Sequence, residues 1–506
     1  AWLDVLQALT RLGIDQERGE ALGIGLYKPG LTWPIEPAKM RTFVQGYEEI
    51  LFVEEKRPLI EDQAARLLYA MEASLRPAIS GKAAPDGTPL LPSDGMLDPG
   101  EVARAIAARL NGLGMVDGRL GEAIATNEAP VGGRSNAPAG ITRRPYFCSG
   151  CPHNSSTKVP KGSHAMAGIG CSYMAVWMDR DTVTSVHMGA EGANWNGIAP
   201  FTDMPHIFQN IGDGTYFHSG LMAIRAAVAS GANITYKILY NDAVAMTGGQ
   251  PVDGPLTVPQ ISRQVAAEGV GRIIVVTDEP EKYPPNAGFA DGVTIRHRED
   301  LELVQQSLRR EKGTTILIYD QTCAAEKRRR RKRCEYPDPP KRAFINDAVC
   351  EGCGDCTVKS NCVSVLPLET ELGRKRQIDQ SACNKDFSCV TGFCPSFVTV
   401  HGGELRKPAQ TGADAPLVAD LPEPELAPLD RTWSMVITGI GGTGVVTIGA
   451  ILGMAAHMEG KAASVFDMTG LAQKNGAVMS HLRIAADPDG MAAVRIGSGE
   501  ADVLLG

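Results

Sequence analysis

Seven of the twelve cysteines fall between residues 350 and 394, in two runs: Cys350-x-x-Cys353-x-x-Cys356-x5-Cys362 and Cys383-x5-Cys389-x4-Cys394-Pro395. No other feature constrains the fold as strongly. Thiolates three residues apart let one backbone turn aim three sulfurs at a single cube of iron and sulfide. The fourth ligand of each cluster then comes from the other run. Such a segment is built of loops wrapped around inorganic centres, and those centres pass single electrons. The first set, Cys350, Cys353, Cys356 and Cys394, is complete. The second, Cys362, Cys383 and Cys389, is one thiolate short, and Asp386 stands where the missing one is expected. A carboxylate-ligated [4Fe–4S] cluster, a three-iron cluster and no cluster all remain open there. The gap before Cys362 and the absence of proline after it also depart from the pattern.

The length of 506 residues predicts about three or four domains. With 43% hydrophobic residues the chain can build sizeable cores, and its net charge of −8 argues against a nucleic-acid binder. No signal-peptide pattern opens the sequence. The C-x-x-C clustering therefore predicts metal binding in a reducing cytoplasm rather than disulfides. Residues 435–456 are uncharged over 22 positions, long enough to span a bilayer. They also hold six glycines and three threonines, so a strand, a glycine turn and a helix explain them better, and no membrane partner is expected. The chain starts inside a helical pattern without Met and stops at "ADVLLG", a strand entering a turn. It reads as a middle piece of something longer.

Three α/β-type regions and a cysteine module follow from the patterning. Residues 1–125 hold a strand at 49–55 and helices at 58–71 and 98–110, before an Ala/Pro/Gly/Arg-rich linker at 126–144. Residues 145–325 alternate helices (221–231, 261–269) with strands (233–241, 272–278, 314–320), which predicts a parallel sheet covered on both faces. Residues 324–344 read as a charged connector with the basic run Lys327–Arg333. The cysteine module covers 345–402, a linker 405–430, and a new α/β unit opens at 433 and runs to 506. For the basic run, the net acidity disfavours a nucleic-acid signal. A solvated linker is the default, with docking of an acidic protein or packing on another domain as alternatives.

Gly212-Asp213-Gly214 is followed, 28 residues after Asp213, by Asn241-Asp242. One helix plus one strand fills that gap, so Asp213 and Asn241 come from neighbouring strand ends. Both offer hard oxygens to one Mg²⁺, an ion that prefers few protein oxygens plus phosphate oxygens. A carbonyl near Ala243 would add a third ligand. Gly212, Gly214, Gly248 and Gly249 would let the backbone approach a diphosphate. The arrangement resembles the thiamine-diphosphate signature. Upstream stands Cys148-x-x-Cys151-Pro152-His153, with Cys171 and Cys323 later. These four cysteines read as a cluster site, a structural zinc site or buried thiols. A cluster here would lie beside the diphosphate site. His153, next to a ligand, is the one candidate catalytic histidine, whereas His187 and His218 read as structural. Cys334 reads as a free thiol.

Taken with "MGAEGANW" (188–195), "IGDGTYFHSG" (211–220), "YNDAVAMTGGQP" (240–251), "DQTCAAEKRRRRKR" (320–333) and "ITGIGGTGVVTIG" (437–449), these motifs resemble the 2-oxoacid:ferredoxin oxidoreductases, above all the long fused bacterial indolepyruvate type. The resemblance runs through essentially the whole chain. It implies an α/β fold: a transketolase-C-terminal-like domain, a thiamine-diphosphate-binding parallel-sheet domain, a ferredoxin-like iron–sulfur module, and the start of a Rossmann-like domain. Gly439-x-Gly441-Gly442-x-Gly444, with Asp467 beyond, fits a dinucleotide fingerprint, but the resemblance implies an accessory domain without a nicotinamide. It also implies thiamine diphosphate, Mg²⁺ and [4Fe–4S] clusters, with coenzyme A as co-substrate and ferredoxin as acceptor. The substrate would be an arylpyruvate such as indolepyruvate, decarboxylated oxidatively to its acyl-CoA. A pyruvate or 2-oxoglutarate enzyme is the alternative, and an electron-transfer adaptor the reading from another class. The complete protein is expected to be a homodimer. The family's catalytic glutamate belongs to a pyrimidine-binding domain that reads as lying upstream, so the 506 residues alone are expected not to turn over.

Overall fold

The computed structural model describes residues 1–128, 145–247, 249–252, 254, 256–403, 428–470 and 476–506. Gly248 and most of the two expected linkers lie outside them. The chain forms two compact units, Ala1–Thr142 with Pro422–Thr469 and Ala477–Gly506, and Arg143–Leu421 with Gly470–Gly476.

In the first unit, helix α1 (Trp2–Arg11) packs on α2 (Pro99–Gly112). Ala8, Leu9 and Leu12 meet Val102, Ala103, Ile106 and Leu110, the apolar stripe that a 3.6-residue period brings to one face. The second helix begins at an Asp98 capping box with Pro99 in its first turn. The strand expected at 49–55 is shorter, β1 (Glu49–Leu51), and pairs in parallel with β2 (Ala78–Ser80).

The second unit is organised by a seven-stranded parallel sheet: β3 (Ala165–Met166), β4 (Thr182–Val183), β5 (Ile207–Gly212), β6 (Ile234–Tyr240), β7 (Arg272–Thr277), β8 (Thr294–His297) and β9 (Thr314–Asp320), in the order β4-β3-β5-β6-β9-β7-β8. Successive side chains in a strand point to opposite faces. Ile273, Val275, Ile316 and Ile318 therefore enter one core, with Ile224 and Ala227 of α3 (Leu221–Ser230) and Val258, Ile261 and Val265 of α4 (Val258–Ala267). Ile274, Val276, Leu317 and Tyr319 enter the other, under Leu301, Val304 and Leu308 of α5 (Leu301–Leu308). Burial on both faces is why these strands read as continuous apolar runs. The chain runs outward from β3 to β4 and then back to β5 on the other side of β3. Such a reversal in strand order opens a crevice at the carboxyl ends of the strands.

His206 lies buried before β5, its Nε2 2.7 Å from Thr235 Oγ1. Burial, with Arg309 nearby, lowers its pKa to about 4. An unfolded histidine titrates near 6.5. The unfolded chain therefore takes up a proton first as pH falls, and this contribution, complete above about pH 6.5, is lost between there and about pH 4, at roughly 1.4 kcal/mol per pH unit. His206→Leu should show a smaller drop in urea midpoint between pH 7 and pH 5 than the parent protein. An equal drop would assign the acid sensitivity elsewhere.

The remaining part of the second unit departs from the expected connector. Residues Ala324–Lys332 form a helix, α6, that carries the basic run. After it come β10 (Lys341–Ile345), β11 (Val365–Thr370), β12 (Gly373–Ile378) and β13 (Phe397–His401). β10 pairs antiparallel with β13, and β11 with β12.

The C-terminal part of the first unit holds β14 (Trp433–Ile440), α7 (Val445–Met458), β15 (Ala462–Thr469), β16 (Ala477–Ala485) and β17 (Val503–Leu505), in the sheet order β15-β16-β14-β17. The uncharged stretch is thus strand, turn and helix. Among the described residues no helix is long and apolar enough to cross a membrane.

Candidate functional site

The predicted diphosphate residues stand together at the carboxyl edge of the parallel sheet. Asp213 follows β5 and Asn241 follows β6. Both are buried. Asp213 Oδ1 accepts from Gly214 N at 2.8 Å, and its Oδ2 accepts from Asn241 N and Asp242 N at 2.9 and 3.0 Å. Burial outweighs these donors and raises its pKa to about 6. Asp242 turns the chain with φ 59°, a region that Asp tolerates better than most residues. Asn241 Oδ1 is buried with no hydrogen-bond partner. An orphaned buried acceptor beside a buried carboxylate is the donor set that a small, hard cation takes. A Cβ on Gly212 or Gly214 would meet nothing within 4 Å, so backbone and open space face each other there. Ala243 is buried next to them, and Gly249 N closes the loop on Val244 O at 3.1 Å.

The same sheet edge carries the first cysteine set. Cys323 follows β9, and its backbone N–H donates to Asn241 O at 2.9 Å. The candidate metal ligand and the candidate cluster ligand are joined by one hydrogen bond. Cys171 follows β3 through Gly168, where a Cβ would come within 2.3 Å of Asn210 O, so only glycine admits the close approach to β5. Burial, and then the charges of Cys148, Cys323 and Cys171, pushes the Cys151 thiol well up. The Cys171 thiol is pushed to about 12 by burial and by Cys323 and Cys148. Four thiols that repel one another as thiolates in an apolar shell of Phe147, Met174 and Ala175 fit a cationic centre that would offset their charge. His153 is buried, with Nδ1 3.3 Å from Ser156 Oγ, and burial lowers its pKa to about 4. It is neutral at physiological pH and suits orientation better than acid catalysis.

The cysteine segment after α6 is built on two similar ribbons. Ile345 pairs with Phe397, with Cys350 five residues after the first and Cys394 three before the second. Ile378 pairs with Val365, with Cys383 five residues after the first and Cys362 three before the second. Each ribbon thus sends the first cysteine of one run and the last of the other to one end, the placement that an exchange of fourth ligands would need. The Cys356 thiol is raised by burial, with Cys350 and Cys353 adding to it, and the Cys389 thiol rises to about 12 through burial, Cys362, Cys383 and Asp386. Cys394 Sγ lies 3.0 Å from Ser396 Oγ. Gly352, at φ +72°, has no room for a Cβ, which would stand 2.2 Å from Arg374 O. Asp386 does more than its position in the run suggested. Its Oδ1 accepts from Arg298 Nη1 at 2.5 Å and from Gln321 Nε2 at 2.9 Å, while Oδ2 has Ser388 N at 3.4 Å. Among the described residues no three His, Cys, Asp or Glu side chains close on a single-ion site. A cube of iron and sulfide spreads its thiolates wider than one ion does.

Several residues near the site escaped the sequence reading. Lys237, in the middle of β6, is fully buried, donates to Lys158 O at 2.9 Å, and has its pKa lowered to about 7 by burial and by Arg180. Buried Arg180 donates to Asn154 O at 2.9 Å, behind the Cys148–Cys151 loop. Buried Glu191 accepts from Gly189 N at 2.7 Å, and burial raises its pKa. A charged residue inside an apolar strand, as in "ITYKILY", was the available signal. His218 Nδ1 lies 2.7 Å from Ser219 Oγ at an exposed position. The glycine segment after β14 also differs from a dinucleotide site. β15, which bears Asp467, is separated from β14 by the antiparallel β16, so Asp467 is not on the strand beside the glycine turn.

Comparison with known proteins matches three parts of the chain. Residues 1–130 match an indolepyruvate oxidoreductase domain, 162–318 the C-terminal TPP-binding domain of thiamine pyrophosphate enzymes, and 434–506 a pyruvate ferredoxin/flavodoxin oxidoreductase domain. The indolepyruvate oxidoreductase subunit IorA of Thermococcus kodakarensis is 26% identical over 428 residues, 79% of this chain and 59% of that protein. The chain thus spans about three fifths of the length of such curated relatives. Subunit IorB of the same organism is 35% identical over 75 residues, 15% of this chain and 36% of that subunit. A solved 2-oxoglutarate:ferredoxin oxidoreductase from Magnetococcus marinus aligns over 36% of this chain and 65% of its own, at 18% identity and a TM-score of 0.28.

Proposed function

We propose that this chain, a 2-oxoacid:ferredoxin oxidoreductase of the indolepyruvate type by its matched domains and relatives, takes part in the oxidative decarboxylation of an arylpyruvate such as indolepyruvate. The 2-oxo acid and coenzyme A become an acyl-CoA and carbon dioxide, and the electron pair leaves singly for ferredoxin. The observation that supports this reading is the hydrogen bond from Cys323 N to Asn241 O, which joins the residue proposed as a cluster ligand to the one proposed as a metal–diphosphate ligand. Matches to both an IorA and an IorB subunit support a chain that joins parts which are separate in those relatives. The complete protein is proposed to act as a cytoplasmic homodimer.

When bound, thiamine diphosphate supplies the nucleophilic carbon and the electron sink for decarboxylation, and iron–sulfur clusters supply the single-electron relay. The chain's residues do the rest. Asp213 and Asn241, with a carbonyl near Ala243, would hold Mg²⁺, and the Gly212–Gly214 backbone would face the diphosphate. Cys148, Cys151, Cys171 and Cys323 would hold the proximal cluster. Cys350, Cys353, Cys356 and Cys394 would hold the next. Buried His153 would orient the Cys151 loop. The apolar shell around Cys151 and Cys171 would exclude water from the electron path. The test is a panel of 2-oxo acids offered to the complete protein with coenzyme A and ferredoxin. Highest kcat/KM for arylpyruvates supports the reading, and no reduction with any 2-oxo acid would end it.

For the second centre of the iron–sulfur segment we propose a three-iron cluster on Cys362, Cys383 and Cys389, with Asp386 fastened to Arg298 and Gln321 instead of to iron. Asp386→Asn should then leave the electron paramagnetic resonance signal of the oxidised centre unchanged. Asp386→Cys should convert it to a four-iron spectrum. A changed signal in Asp386→Asn would make the carboxylate a ligand.

A further inference from the structure

The basic run Lys327–Arg333 has no part in the chemistry above, yet little of it is a solvated linker. It lies on α6, whose N-cap residue is Cys323. Its side chains reach in two directions. Arg330 Nη1 donates to Asp242 Oδ2 at 2.7 Å, directly after the metal-ligand candidate Asn241, and Arg330 Nε reaches Glu326 at 3.2 Å. Arg329 donates to Glu326 at 2.8 Å, and Lys327 to Asp278 at 2.8 Å. The other direction is toward Cys383. Arg328 donates to Ser381 O at 2.6 Å and to Ala382 O at 3.4 Å, on the near side of that cysteine. Arg331 donates to Asn384 O at 2.8 Å, on its far side. Two guanidiniums thus grip the backbone on either side of Cys383, on a helix whose N-cap residue is Cys323, a cysteine of the other set.

We propose that α6 is an electrostatic bridge between two redox centres: Arg328 and Arg331 hold the Cys383 loop beside the Cys323 end of the parallel sheet, and their charges favour electron arrival at the Cys362–Cys383–Cys389 centre. The inference rests on the reading of both cysteine sets as cluster sites. The physics is that of a fixed cation near a group whose negative charge grows on reduction. Coulomb attraction stabilises the reduced form, and cluster potentials follow net charge and local hydrogen bonding. A lysine run could supply charge. Two arginine forks supply charge together with fixed donors to backbone carbonyls. Arg328 and Arg331 are therefore positioning residues, since they act through the cysteine loop and not on a substrate.

The test is a redox titration of the complete holoprotein, followed by electron paramagnetic resonance, with iron content measured in parallel. R328Q/R331Q should move the potential of the Cys383 centre in the negative direction, with iron content and thiamine-diphosphate affinity unchanged. R328K/R331K, which keeps the charge, should return most of the shift. A merely structural role would lower iron content or leave the potential in place. If the double variant loses iron, R328Q and R331Q are titrated singly, and each should show part of the same shift. Iron present at the parent level with an unmoved potential overturns the inference. A parent protein without iron at Cys362, Cys383 and Cys389 overturns the underlying reading of the cysteines instead, so the two failures are distinguishable.

Discussion

Cys323→Ala is expected to lower the iron content, by one iron where the three remaining thiolates keep a three-iron cluster and by a whole cluster where they do not, and to abolish 2-oxo-acid-dependent electron transfer, while the chain still folds. The side chain is small, and the backbone N–H that bonds Asn241 O is untouched by the change. The Cys323 thiol lies within electrostatic reach of Cys151 and Cys171, whose thiols its charge would raise. With one of four thiolates gone, a cubic cluster has no protein ligand for one iron. Cys171→Ala should behave alike, because it takes a ligand from the other side. The cysteine module at 350–394 should keep its iron and remain reducible by a chemical reductant. Iron content measured against the parent protein, together with 2-oxo-acid-dependent ferredoxin reduction, checks this. Unchanged iron in both variants would contradict the assignment of the set.

Asp213→Ala should cost at least about 100-fold in Mg²⁺-dependent thiamine-diphosphate affinity. Losses of 10–100-fold are typical for residues that only touch a metal ligand, and Asp213 is proposed as a ligand itself. Its carboxylate also holds three backbone N–H groups, those of Gly214, Asn241 and Asp242. Leaving such buried donors unpaired costs about 1–3 kcal/mol each. The Ala variant will therefore lose stability as well as affinity. Asp213→Asn keeps an oxygen acceptor but loses the charge. It should be closer to the parent in urea midpoint, with cofactor affinity still strongly reduced. Calorimetric titration of both variants separates the two effects. Parent-like affinity in Asp213→Asn would mean that the charge is not used for metal.

Much of this fold was legible because burial on both faces leaves a plain mark on sequence. The run "TTILIYD" (314–320) is the strand Thr314–Asp320, buried at every position. The Gly212-Asp213-Gly214 and Asn241 spacing was legible for the same reason, because one helix and one strand of ordinary length lie between them. The short strands β3 and β4, of two residues each, carry no periodicity to read. Helix α6 was missed because its stripe is charge rather than apolar surface, and it is held by contacts to residues such as Asp278, Ser381 and Asn384 that sequence cannot place. The grip of Arg298 and Gln321 on Asp386 joins residues 88 and 65 positions apart, so Asp386 was weighed only as an iron ligand. The glycine turn after β14 resembled a dinucleotide fingerprint locally. The strand order that disqualifies Asp467 is a long-range property, since it depends on where β16 inserts.

The proposed metal–diphosphate site and the proximal cysteine set are expected to work as neighbours. The most direct measurement is anaerobic, on the complete protein with its clusters, Mg²⁺ and thiamine diphosphate, and without ferredoxin. An arylpyruvate is added, and the visible absorbance of the clusters and their electron paramagnetic resonance are followed. Bleaching and a reduced-cluster signal are expected to appear, to depend on thiamine diphosphate and to disappear in Asp213→Ala. Clusters that a chemical reductant bleaches but that no 2-oxo acid does, with the cofactor bound, would contradict it.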